Sequence, residues 1–361
     1  MSIPQMEPWF GDEEKQALVD YMNEGGWITE FKQTEKFENM IAEYTGAKHC
    51  VVVNNGTISL TLAALACGVK AVDEVIIPNY TMIATPNSVK IFGAIPVFVD
   101  VERETLCLDI NKVENAITRK TKAIMLVTAN GRYPQAGIQA FQDLCNRHSL
   151  VLIEDAAQSL GSFYPDGRHM GTAGLVGSFS FSAPKVISTG QGGCIVTNDE
   201  QIARKLQRLK DFGRAEGGTD IHDTIGYNFK FTDLQACIGI EQMKKLPWRV
   251  ARKKEIYRLY KRLLEDVVQV SFFNQDLERT VPWFIDVLVE KREDLQNHLK
   301  GRGIGTRIMY PPINKQKAYS VAGEHKVSNL IGQKGLWLPS ASRLTDDEIE
   351  MVSLVIKEFY R

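Results

Sequence analysis

The sequence predicts an α/β protein: a large domain with a mostly parallel central sheet covered by helices, then a smaller C-terminal α/β domain. Three observations predict it. Short runs rich in valine and isoleucine recur through the first half of the chain, and they are apolar throughout, as strands covered on both faces are. Helix-patterned stretches separate these runs, the arrangement that links parallel strands. Near residue 246 the composition shifts, and a long charged amphipathic stretch leads into a second alternation of strand-like and helical segments. With 361 residues the chain exceeds one core of ordinary size, so we expect domains at 1–246 and 247–361.

The elements follow in order. Residues 12–24 and 32–46 read as amphipathic helices, the second ending at Gly46. Strands are expected at "HCVVV" (49–53), "DEVIIP" (73–78), "IPVFVDV" (95–101), "KAIMLVT" (122–128), "LVLIEDA" (150–156), "GSFSFS" (177–182) and "GCIVTN" (193–198). Helices are expected between several of them, at 57–68, 83–92 and 138–148. Beyond the last strand, 200–212 and 232–246 carry apolar positions at helical spacing, and 248–265 forms a separate connecting helix. The remainder alternates strand-like 281–290, helix 291–301, strand-like 305–313 and a final helix 345–360.

Bulk properties narrow the function. Forty-three basic side chains against forty-four acidic ones leave a net charge of −1, with no electrostatic footprint for nucleic acid or an anionic membrane. No run reaches the length that spans a bilayer and no signal sequence opens the chain, so a cytoplasmic protein is expected. The six cysteines lie far apart in mostly apolar stretches without a CxxC pair, and the six histidines lack metal-ligand spacing. Buried thiols and no metal are therefore expected.

Three motifs carry chemistry. In "NNGTISLTLAALACG" (54–68) an Asn-Gly-Thr turn leaves a strand and opens a helix, presenting free amides and a hydroxyl at the positive end of the helix dipole. That is a phosphate seat or, more plainly, a helix cap. "LVLIEDAAQSLGS" (150–162) ends an apolar strand in carboxylates, and Asp155 stands at the carboxyl edge where open α/β sheets bind ligands. Its plain alternatives are a cap or a structural ion pair. In "FSFSAPKVISTGQGG" (179–193) Ser180 and Ser182 point to one side of a strand, close to Lys185. Burial there would lower the pKa of the amine and make it nucleophilic, although a lone loop lysine is more often ordinary surface. Together the three match the needs of pyridoxal 5'-phosphate (PLP): a phosphate anchor, a partner for the ring nitrogen and an amine for a Schiff base.

These motifs occur in a longer series: "GGWITEFKQTEKFENMIAEYTG", "NNGT", "DEVIIP", "GAIPVFVDV", "IEDAAQS", "FSFSAPKVISTGQGG", "GYNFKFTDLQACIGIEQM" and "GLWLPSASRLTDDEI". In order and spacing the chain resembles the DegT/StrS-type nucleotide-sugar aminotransferases, nearly end to end. The resemblance implies the aspartate aminotransferase-like fold, PLP fold type I. It implies that Lys185 carries the cofactor, that Asp155 pairs with the pyridine nitrogen and that Gln158 lies along the ring. Gly56, Thr57 and Ser180 would bind the phosphate, with Asn228 reaching it from the neighbouring subunit of a homodimer. It further implies glutamate as amino donor and a nucleotide-linked keto sugar as acceptor, with Trp27, Thr29, Glu30, His222, Arg307 and Tyr310 in regions that line the sugar and nucleotide site. A lysine at 185, where related sugar 3-dehydratases have histidine, implies transamination.

Some positions depart from the family pattern. Met82 stands where an aromatic residue usually stacks on the cofactor, and we expect its thioether, rather than Tyr80, to take that place. "VTANGRYP" has Thr128 and Asn130 where histidine and tyrosine are usual, and both side chains are expected to face the pocket. Gln191 replaces the usual glutamate and Lys230 the usual arginine, both mild changes. The leading reading is amination of a nucleotide-linked 4-keto-6-deoxy sugar for surface polysaccharide. Its rivals are another keto sugar or carbon, C3 for example, and a non-catalytic PLP-binding regulator.

Overall fold

The computed structural model describes residues 2–361. Helices α1 (Asp12–Asn23) and α2 (Lys32–Thr45) open the chain. Seven strands then build one sheet: β1 (His49–Val53), β2 (Glu74–Pro78), β3 (Ile95–Val99), β4 (Thr121–Val127), β5 (Val151–Asp155), β6 (Val176–Ser180) and β7 (Gly193–Thr197). Helices α3 (Gly56–Ala66), α4 (Ala84–Lys90), α5 (Ile110–Ala116) and α6 (Gly137–His148) connect the first five of them. The spatial order is β1-β7-β6-β5-β4-β2-β3. From β3 across to β6 all neighbours are parallel, and only β7 runs against both of its partners.

Alternate residues of each strand feed opposite layers. Val75, Ile77, Met125, Ile153 and Ile195 pack on one side with the apolar face of α3. Ile76, Ile124, Leu126 and Leu152 pack on the other with Phe141 and Leu144 of α6. This two-sided burial is why the strands read as unbroken apolar runs in the sequence.

Helix α7 (Glu200–Lys210) follows the sheet, and after an irregular stretch comes α8 (Asp233–Leu263). Here the structure corrects the expectation of two helices at 232–246 and 248–265. Pro247 lies inside one continuous helix of 31 residues. Proline removes one backbone donor, but packing on both sides holds the axis. Ala236, Ile240, Met243 and Leu246 are buried with the large domain, and Ile256, Tyr257 and Tyr260 with the smaller one.

The smaller sheet comprises β8 (Val270–Phe272), β9 (Ile285–Val289), β10 (Arg307–Ile308) and β11 (Gly335–Leu338), in the order β10-β11-β9-β8 and antiparallel throughout. Helices α9 (Arg292–Gly301), α10 (Lys326–Lys334) and α11 (Asp346–Tyr360) complete this part. The start of the chain joins it too, since the Ile3 amide donates to the Gly303 carbonyl at 2.9 Å and the Gly305 amide to the Ile3 carbonyl at 2.7 Å.

The two sheets are tied by buried polar contacts. The Arg132 guanidinium, in the turn after β4, donates to both carboxylate oxygens of Asp286 on β9 at 2.5 and 2.7 Å, and both side chains are buried. Helix, sheet and this ion pair together bring the start of β9 against the carboxyl ends of β4, β5 and β6.

Candidate active site

A cavity of about 610 Å³ opens at that edge. Each part of its wall has a local cause. Helix α3 begins there because Asn55 caps it, its side-chain oxygen accepting the Ile58 amide at 2.9 Å. The amides of Gly56 and Thr57, first in the helix, have no carbonyl a turn earlier to bond and point their positive ends into the cavity. Glycine is required at two points of this cradle. A Cβ at Gly56 would lie 2.7 Å from Ser180 Cβ, and one at Gly193 would lie 2.8 Å from the Asn55 backbone. Ser180, at the end of β6, completes the seat from below and meets Ser182 at 3.3 Å.

Asp155 ends β5 at the middle of the cavity and is 5 % exposed. Burial pushes its carboxyl up, and Thr85, Lys185 and the Ala157 amide oppose that push. Thr85 at the start of α4 donates its hydroxyl to Asp155 Oδ2 at 2.8 Å, and the Ala157 amide reaches Oδ1 at 3.2 Å. Held this way, the carboxyl keeps capacity for one more hydrogen-bond partner.

Lys185 follows β6 and lines the same cavity. Burial lowers its amine to about 8 from an ordinary 10.5; Asp155 works against that shift and Arg307 adds to it. Its Nζ rests 4.2 Å from the centre of the Trp283 ring. An amine of this kind is partly unprotonated near neutrality and can act as nucleophile or base.

The structure brings together Gly56, Thr57, Met82, Asp155, Gln158, Ser180, Lys185, Arg307 and Tyr310 around one cavity. Met82 is in the wall, whereas Tyr80 is buried behind it against Tyr310, with ring centres 5.9 Å apart. Trp27, Thr29, Glu30, His222 and Asn228 stand outside this cavity. Trp27 is 67 % exposed, Thr29 bridges to Thr232, and Glu30 pairs with Lys210 at 2.9 Å. His222 Nδ1 donates to the Phe212 carbonyl at 3.0 Å, and Asn228 bridges to Asp211 on the exposed stretch before α8.

Thr128 and Asn130 do not face the pocket, contrary to the sequence expectation. Thr128 is buried against Ser159, with 2.5 Å between the hydroxyls. Asn130 turns to the smaller domain, where its amide donates to the Phe284 carbonyl at 2.9 Å and accepts the Phe284 amide at 2.7 Å. A left-handed backbone at Asn130 (φ 54°), which asparagine tolerates better than most residues, sets this direction. Its own amide donates to Gln158 Oε1 at 2.7 Å. Among the wall residues that went unremarked in the sequence are Thr85 and Trp283, because each sits in a stretch whose pattern reports only helix or strand.

No group of three or more His, Cys, Asp or Glu side chains among the described residues is arranged to hold a metal, and no helix among them is long and apolar enough to cross a membrane. The lysine, the held carboxylate and the amide cradle do fit one organic group. A phosphate suits the cradle, a protonated ring nitrogen suits Asp155 and an aldehyde suits Lys185. Fold and site together therefore define a PLP-dependent aminotransferase of fold type I. The chain belongs to the DegT/DnrJ/EryC1/StrS aminotransferase family, whose model matches residues 10–357. It is similar to the GDP-perosamine synthase of Escherichia coli O157:H7, 36 % identical over 362 residues covering 99 % of this chain and 98 % of that one. The GDP-perosamine synthase of Vibrio cholerae is 32 % identical over 366 residues, covering 99 % of both chains. Among solved structures, DesV of S. venezuelae superposes with a TM-score of 0.90 at 30 % identity, covering 97 % of this chain and 95 % of that one.

Proposed function

We propose that the protein moves an amino group from L-glutamate to a nucleotide-linked 4-keto-6-deoxy sugar, with GDP-4-keto-6-deoxymannose as the acceptor that the perosamine synthases' names point to. The product would be a 4-amino sugar for surface polysaccharide such as O-antigen, made in the cytoplasm. The observation that carries this reading is Lys185 and Asp155 lining one cavity with the α3 amide cradle.

Bound PLP supplies an electron sink for negative charge on the carbon that loses or gains a proton. The residues do the rest. Gly56, Thr57 and Ser180 would hold the phosphate, since all three line the same end of the cavity wall. Asp155 keeps the ring nitrogen protonated by a charge already in place, which needs no rearrangement as the reaction proceeds. Met82 and Gln158, both in the cavity wall, would pack against the cofactor. The Lys185 amine, lowered by burial to about 8, would be the base that holds and moves the proton of the substrate carbon beside it. The same groups work in reverse on the sugar, and Arg307, at the cavity mouth, is placed to pair with a diphosphate.

The reading includes a homodimer with shared sites. Its support is a set of exposed apolar residues on two segments, Trp27, Ile28 and Phe31 ahead of α2 and Ile221 and Ile225 ahead of α8, all more than half exposed in the single chain. Asn228 and His222 lie on the same stretch as two of these residues, so a second copy seated there would bring them near a cavity that does not contain them in one chain. The test is direct. Protein loaded with PLP is given L-glutamate and a panel of nucleotide-linked keto sugars, and products are read by NMR. Amination at C4 of GDP-4-keto-6-deoxymannose is the expected result, and failure with every keto sugar, or amination at another carbon, would overturn it.

A further inference from the structure

Trp283 is the one large aromatic side chain in the wall that comes from the smaller domain with its ring over a reacting atom. It stands just before β9 and is 2 % exposed, so by burial alone it would pass for core. Three contacts set it apart. Its indole Nε1 donates to the Pro184 carbonyl at 2.7 Å, which is the peptide group that leads into Lys185. Its own carbonyl accepts from the buried Lys253 ammonium of α8 at 2.8 Å. The next residue, Phe284, has its backbone amide and carbonyl both clamped by Asn130 of the large domain.

The indole is thus fixed in register with the lysine backbone by its ring nitrogen, and fixed to both domains by its main chain. Phe284 stacks on it with ring centres 3.9 Å apart and planes 19° from parallel. The Lys185 Nζ is 4.2 Å from the ring centre, and two groups at such distances cannot share one face. One face therefore belongs to Phe284 and the other to the amine. A tryptophan serving only as core would have no reason to leave a face to a lysine.

We propose that Trp283 is a binding surface for the free Lys185 amine: the indole face turned toward Lys185 holds the side chain whenever Lys185 is not joined to the cofactor. Asn130 and Lys253 are the positioning residues that set the ring there. This deepens the proposed transamination and rests on it, because the free amine arises once in each half-reaction and must stay close to the carbon it serves. A four-carbon stem released into an open cavity would sample many rotamers, and an attractive face confines it. The indole also keeps water from the amine, alongside the opposing fields of Asp155 and Arg307 and the neighbouring phenol of Tyr310.

The test uses the full-length protein stripped of PLP and treated with trinitrobenzenesulfonate, with each lysine followed by peptide mass spectrometry. In W283L the label enters Lys185 about three- to thirty-fold faster than in wild type, the factor a lost cation–π contact represents. Lys253 reports folding in the same sample, since it is 1 % exposed and stays unlabelled while the fold holds. Equal labelling of Lys185 in W283L and wild type, with Lys253 protected, would overturn the inference. The more conservative W283F supplies a second readout. PLP quenches tryptophan fluorescence in wild type, and W283F loses more of that quenching than W248F does; full quenching in W283F would also overturn it. If PLP fails to protect Lys185 from the label in wild type, the transaminase reading itself falls, which is a different result from either of these.

Discussion

The hydroxyl of Thr85 donates to Asp155 at 2.8 Å, from the first turn of α4 to the last residue of β5. This bond favours the charged form of a buried carboxyl and partly offsets the desolvation that pushes its pKa up. Two substitutions separate the charge from its support. D155N is expected to lower both half-reactions by about 10²–10³, the range for losing one preorganised electrostatic partner. T85V removes one bond to a charged group and is expected to lower them about tenfold. Both should still allow borohydride to fix the cofactor on Lys185, which single-turnover absorbance and mass spectrometry will check.

The Lys185 amine gives a pH dependence whose sign is fixed by its surroundings. Its folded pKa of about 8 lies below the ordinary 10.5, because burial disfavours the ammonium. In apo protein the labelling rate at Lys185 should therefore rise with pH and level off above about 8. R307L removes a neighbouring positive charge and should move that midpoint up, while D155N should move it down. Stability has the matching sign: the unfolded chain binds this proton first, so the lysine's contribution weakens as pH falls from 10.5 to about 8 and is constant below that. Denaturation of apo wild type and K185M across this window measures it.

The amide cradle predicts a graded effect of two added methyl groups. At Gly56 the obstacles are Ser180 Cβ at 2.7 Å and Oγ at 2.9 Å; the hydroxyl can rotate away, but the Cβ moves only with the end of β6. G56A should lose PLP affinity, since the displaced hydroxyl is one of the phosphate's proposed donors, and lose less thermal stability than a methyl set against backbone. At Gly193 the obstacle is the Asn55 backbone, 2.8 Å away, which cannot move without dragging the start of α3. G193A should therefore lower thermal stability as well as cofactor binding. Calorimetry and cofactor titration on the same samples distinguish the two.

The Arg132–Asp286 pair predicts a cycle. R132M and D286L each leave one buried charge without its partner, and each is expected to cost about 3–5 kcal/mol. In R132M/D286L neither charge remains, and most of that loss should be recovered. Chemical denaturation of the two single variants and the double variant reads the coupling directly.

How much the sequence disclosed depended on what each residue had to satisfy. The inner strands of the large sheet were legible because both faces are buried, which favours runs of apolar, often branched residues; edge strand β3 kept such a run although it is only partly buried. The short β8 and the helices α5 and α10 were not, since three to nine residues under one-sided cover carry too little periodicity. Pro247 read as a helix end because local propensity disfavours it there, and tertiary packing overrode that preference. In the site, Lys185 and Asp155 were visible as charges placed at the ends of apolar strands. Asn130 was misjudged because its left-handed backbone, which a sequence does not display, turns its amide away from the cavity and onto Phe284. Trp283 was invisible for the opposite reason, an apolar residue inside the apolar run "VPWFIDVLVE".

Helix α8 has a mechanical consequence. One unbroken rod of 31 residues is bolted to both lobes, so they cannot swing apart about a pivot at Pro247 without shearing the aromatic packing along its length. A continuous rod through both lobes favours substrate passage at the cavity rim over a swing of one lobe against the other. An enzyme made this way resembles a jig more than a clamp, its tolerances cut in advance and its traffic handled at the rim.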